Sequence, residues 1–524
     1  MPTPANLQTV TVRTQGFVGG ANIRDAINLL GANEARPLEN MVLDERGGAQ
    51  KRRGCNALLG YFGPPTARVL SMYTFMRGMG VTPQILIHTT EGKLYVTSDP
   101  HANPVSWTEI ALGLSTTSPM SFETFKKKCY MSNGVDPYCA WDGAAYTTFP
   151  SAPRGRFLRL WSERMWISGV TGENDRIYAS DENLPEVFTI SNWVDIAAGD
   201  GDHVRALAND GQFLVVAKRE RTWTIYDPVE FFNRLVDPEK GFESHFACTS
   251  FEGSLYFLSR RGICQYMGDA PSVMISERIE PAFIEPFIEL TQINKATAYT
   301  FLNRVGFVVP ESGETRNSLV IEYYPKLAGV TQTGTRSIGP FTFHRMPVQC
   351  FARWRYGSYD RLYAAHNQAA KMLECFAPVG TDDGVPFQAM LQTAWFDFGN
   401  PTHTKYLREM RFLCGGRFDV LIFRDFEEGI YRNLNVDARG IQDDWDISEV
   451  WGEDDWGKED PVRDILRTNI DAYARWFSFR FQDSFETDTN FQTFWIGSRD
   501  RDLAVGEWAI YGVVAEASVL GKRS

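Results

Sequence analysis

Residues 211–228, GQFLVVAKRERTWTIYDP, contain an apolar run, a charged turn, a second run carrying Trp223 and Tyr226, and a closing Asp-Pro. β-Branched and aromatic runs on either side of a short polar stretch are what a β-hairpin requires. The same figure recurs along the chain. Its first strands ILIHTT, KCYMSN, RMWISGV, QFLVVAK, SLYFLS, RVGFVVP and RLYAAH begin at 85, 128, 164, 212, 254, 304 and 361, at spacings of 43, 36, 48, 42, 50 and 57. Their partners are KLYVTSDP, PYCAWDG, RIYASDE, TWTIYDP, ICQYMGD, LVIEYYP and KMLECFAP. The first five close on Asp99, Asp142, Asp181, Asp227 and Asp269. A short carboxylate there can accept hydrogen bonds from the backbone of the outgoing turn.

One more strand-like run precedes every hairpin: RVLSMYTF, SFETF, RFLRLW, HVRALAND, FACTSF, KATAYTFL and VQCFARWRY. An outer fourth strand is readable in SWTEI, AAYTTF and SVMIS. Four short strands at this period form a propeller blade, because one such sheet buries both faces only when neighbours stack on it. The expectation is an all-β chain with a six- or seven-bladed β-propeller over residues 61–380. A β-sandwich also spaces short strands regularly, but it does not repeat one hairpin with one terminal aspartate.

The flanks differ. Residues 1–60 read as an N-terminal arm or a ring-closing segment, with a short helix expected around 37–43, a Gly-Gly turn at Gly47 and Gly48, and a basic strand at Lys51, Arg52 and Arg53. That triplet is read as a solvated edge, with a contact to phosphate or an acidic partner as its functional alternative. Residues 381–524 carry longer alternating strands and read as a β-sandwich or barrel-like domain. In ARWFSFRFQ, Phe477, Phe479 and Phe481 share an expected core face, and Ser478, Arg480 and Gln482 an expected wet one. The loop QDDWDISEVWGEDDWGKED, 442–460, combines nine acidic residues with Trp445, Trp451 and Trp456. With Asp454 and Asp455, those tryptophans are candidate subunit or partner contacts.

Composition narrows the function. With 53 basic and 65 acidic residues the formal charge is −12, against a protein that grips nucleic acid by neutralising phosphates, though compatible with a wall past which DNA slides. The eight cysteines form no C-x-x-C and are read as reduced core thiols. No signal peptide and no apolar run of about 18 residues is readable, so no membrane anchor is expected. Phosphate-loop, zinc-protease, serine-hydrolase and calcium-loop motifs are missing, and the seven histidines are isolated, His88 and His366 each ending a blade strand. Neither a cofactor nor enzymatic activity is expected. The enzyme alternative is a propeller glycosidase, which would need two carboxylates close together near the axis.

The N-terminal run NEARPLENMVLDERGGAQKRRG, blade segments such as GQFLVVAKRERTWTIYDP and GSLYFLSRRGICQYMGD, and the C-terminal strand domain together resemble the tail hub or nozzle β-propeller proteins of short-tailed bacteriophages. The resemblance implies a structural virion protein of the tail, assembled in the host bacterial cytoplasm as a homohexameric ring around a DNA-ejection channel. Implied partners are other tail proteins, such as portal adaptor and fibre or needle proteins, with transient contact to duplex DNA. The alternative is a host-receptor-binding or glycan-cleaving propeller.

Overall fold

The computed structural model describes residues 9–14, 16–44, 47–284, 287–329, 338–437, 464–484 and 508–519. Trp445, Trp451, Asp454, Asp455 and Trp456 lie outside the described residues. Among the described residues, helix amounts to one α turn, Pro281–Ile284, and three short 3-10 segments. Everything else regular is strand. The chain divides into two compact units, one of residues 55–323 and 345–375, the other of residues 1–54, 324–344 and 376–524.

The first unit is a propeller. All seven expected hairpins form, and each is preceded by its expected inner strand: Val69–Phe75, Ser121–Phe125, Phe157–Trp161, Ala206–Asn209, Cys248–Phe251, Thr297–Phe301 and Val348–Tyr356. Five consecutive four-stranded antiparallel sheets run from Val69 to Met274. A six-stranded sheet starts with Val348–Tyr356 and takes its fourth strand from Gly54–Ala57, far back in the sequence. Thr297–Phe301, Arg304–Pro310 and Asn317–Tyr323 supply three strands of one further sheet. The segment ahead of the blades is therefore a ring-closing strand, and the inner strand Val348–Tyr356 lies against Val69–Phe75.

What holds this unit together is the apolar filling between successive sheets. Gln84–Thr89, Leu94–Thr97, Tyr138–Trp141 and Leu214–Ala217 are buried at every position, whereas the outer strands Thr108–Ala111 and Tyr146–Phe149 are partly exposed. Phe75, Leu86 and Val96 of the first sheet pack on Phe122, Met131 and Trp141 of the second. Trp166 and Ile177 pack on Leu214, Val216 and Trp223. The seam between last and first sheets is built the same way, with Met72, Ile87 and Tyr95 against Trp354, Tyr363 and Met372. Burying one such side chain contributes about 1.5–3 kcal/mol. Each seam gathers several.

Three of the five closing aspartates accept from the backbone of the outgoing turn. Asp99 accepts from the His101 N–H, Asp142 from Ala144 and Ala145, and Asp227 from Val229 and Glu230. Asp181 instead binds Thr189 Oγ1 and Asn192 Nδ2, and Asp269 pairs with Arg234. Among the cysteines, seven of the eight are buried and all are free thiols.

The second unit corrects several expectations. Residues 37–43 are extended, not helical: Glu34–Glu39 pairs with Met390–Thr393, and Met41–Leu43 with Ala49–Lys51. A distant strand partners Glu34–Glu39 and a local hairpin partners Met41–Leu43, so sheet pairing satisfies the backbone groups that a helix would have used and overrides weak helix propensity. YLREMRFLCGG and RFDVLIFRDF are not two strands but one, Lys405–Arg424. Its first part pairs with Asp464–Ala474 and Trp508–Val519, and its second with Arg432–Asp437 and Phe477–Gln482. The change of partners falls at Gly416, whose φ is +81°. Glycine alone takes that conformation without strain, so the strand turns a corner there while its ladder continues.

Phe477, Phe479 and Phe481 are buried as expected, but Ser478 and Gln482 are buried too. The strand lies between Met390–Thr393 and Lys405–Arg424, and Ser478 Oγ donates to Thr393 O, so its second face is covered rather than wet.

Candidate functional site

Two of the three residues in the basic triplet, Lys51 and Arg52, are not on a solvated edge. Lys51 Nζ lies 3.0 Å from Asp483 Oδ2, and Arg52 forks onto both oxygens of Asp382 while its Nε donates to Asn40 Oδ1 at 3.0 Å. The Arg52 guanidinium sits 3.7 Å from the centroid of Phe387, with Lys51 Nζ 4.7 Å from the same ring. Both residues are buried and Arg53 is exposed. Two cations adjacent in sequence are thus absorbed by carboxylates about 330 and 432 residues away, pairings that sequence spacing cannot reveal.

Chemistry gathers instead on the axis of the propeller. At one mouth of the tunnel is a cavity of about 590 Å³. Arg156, Arg205, Lys295 and Arg316 reach it, with His203 and a single lining carboxylate, Glu243. All inner strands run the same way, so the residues that lead into them meet at one mouth. Arg156 directly precedes Phe157–Trp161, Arg205 directly precedes Ala206–Asn209, and Lys295 stands two residues before Thr297–Phe301. The recurrent cation was readable at the front of RFLRLW, HVRALAND and KATAYTFL, and also of RVLSMYTF. Each basic residue is unremarkable alone, and only their shared position ahead of the inner strands marks them.

The four cations are not equally compensated. Glu243, itself buried, accepts from Arg205 and Arg219 at 3.3 Å each. Lys295 Nζ donates to Thr315 O at 2.7 Å, Arg316 Nη1 to Asn367 O at 3.2 Å, and the Arg156 guanidinium stands 5.9 Å from the Phe157 ring. Among the described residues these three have no carboxylate in ion-pair range. Burial pushes the Lys295 ammonium below its ordinary pKa, and Arg316 adds to the shift. Burial likewise lowers Arg316, with Arg68 adding. His203 is lowered by burial and then by Arg205, which keeps it neutral near pH 7. Threonine hydroxyls at 90, 116, 117, 297 and 315 complete a polar wall.

A second cavity of about 260 Å³, sharing His245 and Phe246 with the first, is lined also by Ser121 and Arg159. His245 Nε2 is 3.0 Å from Ser121 Oγ, a pairing that superficially matches a nucleophile and its base. The direction of the bonds is wrong for that. The Leu207 N–H donates to Nδ1 at 3.3 Å, and burial holds the imidazole well below its ordinary pKa. A neutral ring accepting at Nδ1 carries its proton on Nε2, so His245 donates to Ser121 and cannot take its proton. Arg159, which also lines this cavity, is bound to Glu123 at 2.8 Å. Among the described residues no group of three His, Cys, Asp or Glu side chains is placed to hold a metal ion.

No family model matches the chain, and no curated protein matches it. Solved structures are similar at the level of backbone only. The extracellular domain of BT4673 from B. thetaiotaomicron aligns at 10% identity and a TM-score of 0.40, over 80% of this chain and 58% of that one. The computationally designed Ika8 protein aligns at 8% identity and a TM-score of 0.36, over 61% and 99%. Sqt1 of Saccharomyces cerevisiae aligns at 10% identity and 0.36, over 62% and 99%. The propeller assignment stands on the strand pairings themselves.

Proposed function

We propose that this chain is a structural protein of a bacteriophage tail, a nozzle or hub subunit that forms a homohexameric ring and part of the wall of the DNA-ejection conduit. The observation that carries the reading is the fate of the N-terminal run. NEARPLENMVLDERGGAQKRRG is built into strands and followed at once by the ring-closing strand, and its Lys51 and Arg52 are locked onto Asp483 and Asp382. A chain of net charge −12 whose first basic cluster is consumed internally suits a wall that DNA passes without adhering. The glycosidase alternative finds less support. Glu243 is the one carboxylate among the described residues lining the axial cavity, and two arginines hold it. Partners in this reading are the portal adaptor and the fibre or needle proteins, in the virion tail.

Imaging of the assembled particle together with native mass measurement tests the proposal. A six-membered ring carrying this chain is expected. A stable monomer in the virion, or glycan release by the purified chain, overturns it.

A further inference from the structure

We propose that the basic mouth of the axial tunnel is a binding site for a short acidic saccharide, whose anionic groups meet Arg156, Lys295 and Arg316 and whose hydroxyls meet the threonine-rich wall. Three features of the cavity lead there. The first is uncompensated charge. In a chain of net charge −12, three cations from two blades, Arg156 from one and Lys295 and Arg316 from another, converge on one cavity with only backbone carbonyls or a ring as partners, while Glu243 is already taken by Arg205 and Arg219. Like charges held together in a partly desolvated space repel, and a bound anion relieves that repulsion. Planar guanidinium forks favour carboxylate and sulfate oxygens, which accept two parallel N–H bonds.

The second feature is the remainder of the lining. Five threonines, Asn294 and Gln349 offer hydroxyl and amide partners in number, and Phe157 and Phe246 offer ring faces. A bare inorganic ion would leave most of these unused. A sugar ring with several hydroxyls and one apolar face uses both kinds. The third is size: about 590 Å³ falls in the range of small-molecule sites and is far too small for duplex DNA, so the site is distinct from the proposed conduit. This inference does not depend on the tail reading, because it concerns one propeller and is measured on the free chain.

The test is calorimetric titration of the full chain with trigalacturonate, the neutral trisaccharide of galactose, inorganic phosphate and tri-glutamate as probes. Saturable one-to-one binding of trigalacturonate, weakening as salt rises, is expected, with the neutral trisaccharide silent. Lys295→Gln and Arg316→Gln should each weaken binding about tenfold, since a charge-assisted bond contributes on this scale. Arg260→Gln, which alters only the exposed pair with Glu220, should leave it unchanged. Thermal melts of the variants establish that they fold. No heat at millimolar trigalacturonate overturns the proposal, as does equal affinity for the neutral sugar, phosphate or tri-glutamate, or affinity unaffected by both substitutions.

Discussion

Arg52 shows how much one side chain can carry. It is buried, forked onto Asp382, bonded to Asn40 and stacked on Phe387, so its removal leaves a buried carboxylate without its cation. Arg52→Ala should destabilise the protein by about 3–5 kcal/mol in urea denaturation, and a change below 1 kcal/mol would show the pair to be dispensable. His88 works through protons. Burial lowers its pKa to about 4, while an unfolded histidine titrates near 6.5. Between those values the unfolded chain binds a proton that the folded one refuses. The neutral-ring stability is complete above pH 6.5 and declines as pH falls toward 4, by roughly 3 kcal/mol. His88→Gln should flatten the stability profile in that window, measured by melts from pH 7 to 4. An unchanged slope would place the acid sensitivity elsewhere.

At the scale of elements, two strands do unusual work. Lys405–Arg424 serves two sheets because Gly416 lets it turn without breaking its ladder. Gly416→Val forces a β-branched residue into a left-handed conformation and should cost at least about 1–2 kcal/mol, read as a lower melting temperature. A wild-type melt would mean that the corner can form another way. Gly54–Ala57 closes the propeller by pairing beside Met372–Ala377, with Leu58 N donating to Met372 O at 3.0 Å and Cys55 Sγ 3.4 Å from Cys375 Sγ. Removing residues 1–57 should expose that edge, so limited proteolysis is expected to cut first within 348–377. Protection equal to that of the full chain would show that closure does not depend on this strand.

For the whole molecule the deciding quantity is charge. Acidic residues outnumber basic ones by 65 to 53, a net −12, and Lys51, Arg52 and Lys218 are buried against carboxylates, so the surface as a whole repels a phosphate backbone. Free duplex DNA should therefore bind weakly at about 0.15 M salt in a fluorescence titration. Tight binding that collapses on adding salt would contradict a non-adhesive conduit wall.

The hairpins, their inner strands, the turn role of Asp99, Asp142 and Asp227 and the burial of seven of the eight thiols were legible in the order of residues, because alternation and turn chemistry act between near neighbours. His366, at the end of its blade strand, makes a local turn bond, accepting from the Gln368 N–H at 2.9 Å. The extended form of residues 34–43, the union of two strands through Gly416, the burial of Ser478 and the pairing of Lys51 and Arg52 were decided by tertiary structure alone. In each, at least one deciding partner lies far away in the chain, and a sheet neighbour or a buried carboxylate outweighs a local preference worth under about 1 kcal/mol per residue. The axial cavity belongs to the same class. Arg156, Arg205 and Lys295 stand ahead of three separate inner strands and Arg316 ahead of Asn317–Tyr323, and only closure of the ring brings them to one mouth, where like charges share a partly desolvated space.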